Sequence, residues 1–64
     1  MVQINGVPYE ADGKTIKAMV EEMGFHMQTI AVELNEQIVP RDSYREVMLK
    51  EGDRVEVVSF VGGG

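Results

Sequence analysis

The chain has 64 residues, enough for one small domain, and it contains no cysteine. It therefore forms no disulfide and offers no thiolate as a metal ligand or nucleophile. Hydrophobic residues make up 44% of the sequence, which favours a folded core over disorder. The net charge of −5 disfavours binding to nucleic acid or to an acidic membrane, because both attract positively charged proteins. This acidity fits either simple solubility or docking onto a basic partner.

The organisation of the chain is simple. No apolar run approaches the roughly 20 residues of a membrane span, and the first residues lack the basic and then apolar pattern of a signal peptide. We therefore expect a cytoplasmic protein. No repeat or internal linker is visible, so we expect one domain over residues 1–61 and a flexible glycine tail over residues 62–64.

The first half of the chain predicts a β-hairpin followed by one helix. Short apolar–polar runs over 2–4 and 7–10 flank Asn5-Gly6, a pair typical of tight hairpin turns because both residues tolerate positive φ. Thr15 is suited to cap the start of a helix, and Gly24 is suited to end it in the left-handed conformation. Between them, apolar side chains recur at helical spacing and form one stripe: Ile16, Met19, Val20 and Met23.

The second half predicts further strands and only loops between them. Alternation over 30–34 indicates a strand, and a turn at Asn35-Glu36 leads into a short run over 37–39 that Pro40 ends. The longest β-rich run covers residues 54–61. The element order is β-β-α-β-(β)-β. Because one helix covers only one face of a sheet, we predict an α+β fold with a mixed β-sheet, whose opening hairpin and helix are typical of a β-grasp domain.

The last strand presents apolar side chains on both of its faces. Val55, Val57 and Val61 alternate with Glu56, Val58 and Phe60. A charged Glu56 belongs on the solvent face, so Val58 and Phe60 would be exposed beside the tail. Either loops cover both faces of a central strand, or Val58, Phe60 and the adjoining Val61 form a docking surface for a partner. We favour the docking surface because it adjoins the tail.

The tail consists of Gly62, Gly63 and Gly64, which have no side chains to pack. It is either an unstructured end or a segment that enters a narrow site in a partner. In the second interpretation, ATP adenylates the Gly64 carboxylate and a sulfur nucleophile attacks the activated carbonyl. Three extended residues reach roughly 10 Å, and glycine enters a closed site without steric cost. The chain offers no residues arranged for nucleophilic catalysis, so we expect a carrier and not an enzyme.

Three segments, together with Thr15-Ile16 at the start of the helix, resemble the ThiS family of sulfur carriers, and their order and spacing extend the resemblance over nearly the whole chain. They are the stretch AVELNEQIVPR over 31–41, the turn and strand GDRVEVV over 52–58, and the ending FVGGG over 60–64. A third glycine extends the family's Gly-Gly ending. Met19 and Val20 stand where leucines are common in the family.

The resemblance implies a ubiquitin-like β-grasp fold and a defined chemistry. A ThiF-type adenylating enzyme would use ATP and Mg²⁺ to adenylate Gly64, and Gly62 and Gly63 would be required for this activation. A desulfurase-dependent relay from cysteine would then supply sulfur for a thiocarboxylate. A ThiG-type thiazole synthase would take this sulfur for the thiazole ring of thiamine. The carrier itself would hold no permanent cofactor.

Two alternative functions fit the same sequence features, and two further residues have candidate roles. The small subunit of molybdopterin synthase would use the same terminal chemistry, although such chains are usually longer. A β-grasp interaction module without activation chemistry would tolerate residues after Gly64, whereas a carrier would not. His26 has no cysteine or second histidine near it in sequence, so we expect no metal site. Arg41 either fixes its loop or contacts a partner.

Overall fold

The computed structural model describes residues 1–60, so Val61 and the predicted tail over 62–64 lie outside the described residues. It contains one α-helix, α1, and a five-stranded sheet. The elements are β1 (Val2–Ile4), β2 (Val7–Tyr9), α1 (Ile16–Glu22), β3 (Ile30–Leu34), β4 (Gln37–Ile38) and β5 (Arg54–Ser59). The predicted α+β fold is confirmed. Strand β4 ends at Ile38 and β5 at Ser59, each earlier than the sequence pattern predicted.

Strand β5, the last in the chain, occupies the centre of the sheet. The strand order is β2-β1-β5-β3-β4. Strand β5 runs parallel to β1 and antiparallel to β3, so it joins the N-terminal hairpin to the second hairpin. Outside the helices and strands named above, short 3₁₀ turns at Met27–Thr29 and Arg41–Ser43 connect the elements. No helix within residues 1–60 has the length and apolar character needed to cross a membrane.

Helix α1 begins and ends where the sequence predicts. The Thr15 hydroxyl accepts a hydrogen bond from the Ala18 amide at 3.1 Å, which satisfies one free donor of the first turn. Gly24 follows the helix with φ 82°, a conformation that glycine adopts without steric cost. The predicted apolar stripe faces the sheet, with Ile16, Met19 and Val20 buried and Met23 half-buried. Each fully buried side chain contributes about 1.5–3 kcal/mol to folding.

The core lies between α1 and one face of the sheet, and the other face is uncovered by any helix. Because side chains alternate between the two faces of a strand, Val55 and Val57 of β5 lie in the core together with residues of β1 and β3. The loop after β4 closes the side of this core with the buried side chains of Tyr44 and Leu49. The buried residues are Val2, Ile4, Ala11, Ile16, Met19, Val20, Ile30, Val32, Val39, Tyr44, Leu49, Val55 and Val57.

The side chain of Asn5 extends the pairing of β5 beyond the end of β1. Asn5 lies in the hairpin turn at φ 53°, a left-handed conformation that asparagine tolerates better than most residues. Its Oδ1 accepts a hydrogen bond from the Val57 amide at 2.8 Å, and its Nδ2 donates to the Val57 carbonyl at 3.3 Å. One side chain therefore takes the place of the strand residue that β1 lacks there.

The side chain of Asn35 makes the corresponding contact on the other edge of β5. Asn35 has φ 51°, and its Oδ1 accepts from the Arg54 amide at 3.0 Å. Its Nδ2 donates to Oδ1 of Asp53 at 3.1 Å, and Oδ2 of Asp53 accepts from the Lys50 amide at 2.9 Å. These bonds satisfy the buried carboxylate of Asp53 and fix where β5 begins.

Two substitutions at Asn35 measure separately how much its side-chain hydrogen bonds and its left-handed backbone conformation contribute to stability. Asn35→Gly keeps the positive φ but removes both side-chain bonds, so we expect a loss of about 1–3 kcal/mol of unfolding free energy. Asn35→Ala should lose about 1 kcal/mol more, because alanine is strained in the left-handed region. Urea unfolding of the three proteins measures both differences. A glycine variant as stable as wild type would show that the side-chain bonds contribute nothing.

Candidate functional site

The C-terminal end of β5 presents apolar side chains to solvent. Val58 is 53% exposed and Phe60 is 58% exposed, whereas Val57, which directly precedes Val58, is 7% exposed. The prediction that Val58 and Phe60 share the solvent face with Glu56 is therefore confirmed. The alternative, in which loops cover both faces of this strand, is wrong at both positions.

The backbone of Phe60 is anchored although its side chain is exposed. The Phe60 amide donates a hydrogen bond to the Thr29 carbonyl at 3.0 Å, which continues the pairing of β5 with the segment before β3. Phe60 is the last described residue. The predicted site residues Val61, Gly62, Gly63 and Gly64 lie outside the described residues.

The strand register continues this exposed surface across β3 and β4. Ala31 of β3 pairs with Val58, and Glu33 of β3 pairs with Glu56. Ile38 of β4 pairs with Glu33 and is 72% exposed. Because paired residues share a face of the sheet, the uncovered face has an apolar end near Phe60 and an acidic row beside it. We call this uncovered side of the sheet, defined by Ala31, Glu33, Ile38, Glu56, Val58 and Phe60, the open face.

A shallow depression of about 300 Å³ lies beside the acidic row of the open face. The side chains of Glu33, Glu36, Arg54 and Glu56 line it, together with Gln3, Gly6 and Val55. It lies where the turns after β1 and β3 flank the central strand. Sequence reasoning assigned no function to Glu33 or Ile38, because only the strand register shows that they share a face with Glu56 and Val58.

Two lysines, one just before α1 and one within it, are paired with glutamates of α1 on the other side of the molecule. Lys14 pairs with Glu22 at 2.8 Å and Lys17 with Glu21 at 3.0 Å, all four being solvent-accessible. These exposed pairs contribute little stability, but they occupy the carboxylates of the helix. The charged groups at the start of β1 lie near the beginning of β5, away from Phe60. There the Met1 ammonium donates to Glu51, and this hydrogen bond raises the pKa of the ammonium.

His26 and Arg41 are both solvent-exposed in loops. His26 precedes the 3₁₀ turn at Met27–Thr29, as expected for a residue after the helix. In the part of the chain that the structure describes, no three His, Asp or Glu side chains come together as metal ligands. Arg41 begins the second 3₁₀ turn and lines a shallow depression with Arg45. Among residues 1–60, neither His26 nor Arg41 forms a hydrogen bond with a residue of the open face.

The mixed five-stranded sheet with one helix on one face defines a β-grasp protein of the ubiquitin-like class. The ThiS family model matches residues 2–64. The sulfur carrier protein ThiS of Thermus thermophilus is 42% identical over 64 residues, which cover 100% of both chains. The chain belongs to the ThiS family.

Two further comparisons agree with this assignment. The crystal structure of a thiamine biosynthesis protein, ThiS, from Geobacter metallireducens superposes with a TM-score of 0.80 at 27% identity, covering 98% of this chain and 97% of that one. A thiazole synthase of Magnetococcus marinus is 41% identical over 64 residues, covering 98% of this chain. The chain spans only 20% of the length of that synthase.

Two adjacent valines test the assignment of the two faces of β5. Val57→Ser places a hydroxyl in the core and removes buried apolar volume, so we expect a loss of about 2–4 kcal/mol of unfolding free energy. Val58→Ser makes the same chemical change on the open face and should cost less than about 1 kcal/mol. Urea unfolding compares the two variants, and equal losses would contradict the face assignment.

Proposed function

We propose that this chain is a sulfur carrier of thiamine biosynthesis that holds sulfur as a thiocarboxylate on Gly64. The end-to-end match with a ThiS sulfur carrier, which includes the glycine tail, is the observation that carries the proposal. The match of the family model over residues 2–64 and the similarity to the thiamine biosynthesis protein of Geobacter metallireducens support it. As a member of this family, the chain is a carrier that an enzyme acts on, and not itself an enzyme.

The proposed chemistry takes place at the main-chain carboxylate. An adenylating enzyme of the ThiF type would join the Gly64 carboxylate to AMP from ATP, with Mg²⁺ and release of pyrophosphate. Hydrosulfide then attacks the carbonyl and loses its proton to solvent, the bond to AMP breaks, and AMP leaves with one oxygen of the original carboxylate. Sulfur takes the place of that oxygen, so the product is a thiocarboxylate. ATP and Mg²⁺ belong to the enzyme, and the carrier supplies only the acyl group.

Gly62 and Gly63 are proposed to carry Gly64 into the closed site of this enzyme. An ATP site that excludes water protects the adenylate from hydrolysis, because water would otherwise compete with the sulfur nucleophile. A chain without side chains passes through a narrow entrance at the least steric cost. The Phe60 backbone is hydrogen-bonded to Thr29, and the tail follows one residue later in the sequence, so docking of the domain would bring the tail to the enzyme.

Val58, Phe60 and Val61 are proposed to form the apolar contact with the adenylating enzyme and with a ThiG-type thiazole synthase. The exposure of Val58 and Phe60 next to each other on the same strand face supports this, since clustered exposed apolar side chains mark interaction surfaces. The relative from Magnetococcus marinus supports a thiazole synthase as sulfur acceptor, because it contains a segment similar to this chain. When a carrier and its acceptor are parts of one chain, the carrier is present at a high effective concentration at the acceptor's binding site.

Intact-protein mass spectrometry tests the chemistry at Gly64. The natural protein is first weighed to establish that its last residue is Gly64. It is then incubated with a ThiF-type enzyme, ATP, Mg²⁺ and sulfide, and we expect a gain equal to the mass difference between sulfur and oxygen. Fragmentation should locate the gain on Gly64.

Two control chains make this experiment decisive. Deletion of Gly64, or addition of two residues after it, should abolish the gain while leaving thermal unfolding of the domain unchanged. If the extended chain supported thiazole formation in cells and was shown to remain uncleaved, the carrier function would be refuted. A β-grasp interaction module would then be the better interpretation.

Phe60→Ala tests the apolar contact. We expect the Kd for the ThiF-type enzyme to rise about tenfold, which corresponds to about 1.4 kcal/mol, because truncation removes a large aromatic contact. Isothermal titration calorimetry measures the Kd. Met48→Ala is the matched control, because Met48 is 59% exposed but lies outside the open face. Loss of folding in Phe60→Ala with unchanged affinity per folded molecule would make Phe60 a core residue.

A further inference from the structure

The first hairpin turn places an asparagine directly before a glycine, and this pair of residues is chemically reactive. The main-chain nitrogen that follows an asparagine can attack the side-chain amide, and glycine obstructs the approach least because it has no Cβ. Gly6 has φ 83°, and within the described part of the chain only its chain neighbours lie within 4 Å of where a side chain would begin. Both Asn5 and Gly6 are exposed, so water reaches the turn.

In the folded domain, hydrogen bonds to β5 hold the amide group of Asn5. Its Oδ1 accepts from the Val57 amide at 2.8 Å, and its Nδ2 donates to the Val57 carbonyl at 3.3 Å. The main-chain amide of Asn5 donates to the Val55 carbonyl at 2.9 Å. Attack by the Gly6 nitrogen turns the planar amide carbon tetrahedral and expels Nδ2, which is incompatible with keeping both bonds to Val57. The reaction therefore requires this turn to separate from β5.

We propose that Asn5-Gly6 is a site of spontaneous deamidation, and that the bonds between Asn5 and Val57 control its rate. The main-chain nitrogen of Gly6 bonds to Cγ of Asn5, the Cγ–Nδ2 bond breaks, and ammonia leaves with the proton of the Gly6 amide. Water then opens the five-membered succinimide at one of its two ring C–N bonds. The product is aspartate or isoaspartate at position 5, and the net reaction consumes water and releases ammonia.

The modified residue lacks the donor that pairs with β5. An ionised carboxylate has only acceptors, so an oxygen takes the place of Nδ2 opposite the Val57 carbonyl. Two acceptors without a hydrogen between them repel each other, and the carbonyl loses its partner. Isoaspartate also lengthens the main chain of the two-residue turn by one atom, which disturbs the pairing of Ile4 with Val7. Deamidation therefore weakens the attachment of β5 at Val57, next to Val58 of the open face.

The second asparagine provides a comparison within the same molecule. Asn35 has a similar left-handed conformation at φ 51°, and its side chain also binds β5, through the Arg54 amide at 3.0 Å. It is followed by Glu36, whose side chain obstructs attack by its main-chain nitrogen. The chain contains no further asparagine. Only Asn5 combines a bond to β5 with a following glycine, so we expect deamidation to be concentrated there.

Peptide mass spectrometry measures deamidation at the two sites separately, because trypsin cleavage after Lys14 and Arg41 places them in different peptides. The chain is incubated at mildly alkaline pH in buffer and in guanidinium chloride. In guanidinium chloride, Asn5 should deamidate at least about tenfold faster than Asn35, because glycine leaves the attack unobstructed. In buffer, Asn5 should react at least about tenfold more slowly than in guanidinium chloride, because only the open fraction reacts.

Two outcomes of these incubations would overturn the proposal. Equal rates at Asn5 and Asn35 in the unfolded chain would remove the special reactivity of the first turn. Equal rates at Asn5 in the folded and unfolded chain would show that the bonds to Val57 do not control the reaction. Neither comparison depends on a variant that has to fold.

The two valine variants introduced above test the control by β5 in the folded chain. Val57→Ser weakens the packing of β5 and should speed deamidation of Asn5 in buffer at least about tenfold, since it raises the open fraction. Val58→Ser makes the same change on the open face and should speed it less than about threefold. Equal acceleration by the two variants would contradict control through the attachment of β5.

Urea unfolding tests the effect of the modification on the fold. Asn5→Asp reproduces the deamidated side chain and should raise the unfolding equilibrium constant at least about tenfold, because the donor to Val57 is lost. Gln3→Glu makes the same change from amide to carboxylate at an exposed position of β1 and should raise it less than about threefold. Equal effects would overturn the inference that deamidation weakens the attachment of β5.

Discussion

The central position of β5 is the constraint on which the rest of the structure depends. This strand comes last in the chain, yet it pairs with β1 on one edge and with β3 on the other. Asn5 and Asn35 complete its backbone hydrogen bonds where those neighbours end. Because backbone groups left unpaired in the sheet would cost free energy, the two asparagines fix both the position and the direction of β5. The fixed strand in turn places Val58 and Phe60 on the uncovered face of the sheet.

The alternation of side chains lets β5 serve the core and the surface at once. Val55 and Val57 pack beneath α1, while Val58 and Phe60 face solvent on the other side. A single helix covers only one face of the sheet, so the second face is available for a partner without any rearrangement. In a chain of 64 residues this arrangement matters, because a small domain buries only a limited fraction of its surface and its core needs the whole of one sheet face.

The proposed function requires little catalysis by side chains. The reacting group is the main-chain carboxylate of Gly64, and the activating chemistry belongs to the enzymes that act on it. What the domain must supply is a rigid surface for recognition and a defined origin for the tail. The open face places the exposed apolar side chains of Val58 and Phe60 beside Glu33 and Glu56 on the side of the sheet that no helix covers.

The sequence by itself determined the local elements and the proposed reacting group. The Asn5-Gly6 turn, the apolar stripe of α1 and the alternation along β5 follow from φ preferences and periodicity within a few residues. Only the tertiary structure decided that Asn5 bonds to Val57, 52 residues away, and that Glu33 lies opposite Glu56. Such pairings depend on strand order and register. Register is set when distant segments pack around a common core, and no local pattern in the sequence encodes it.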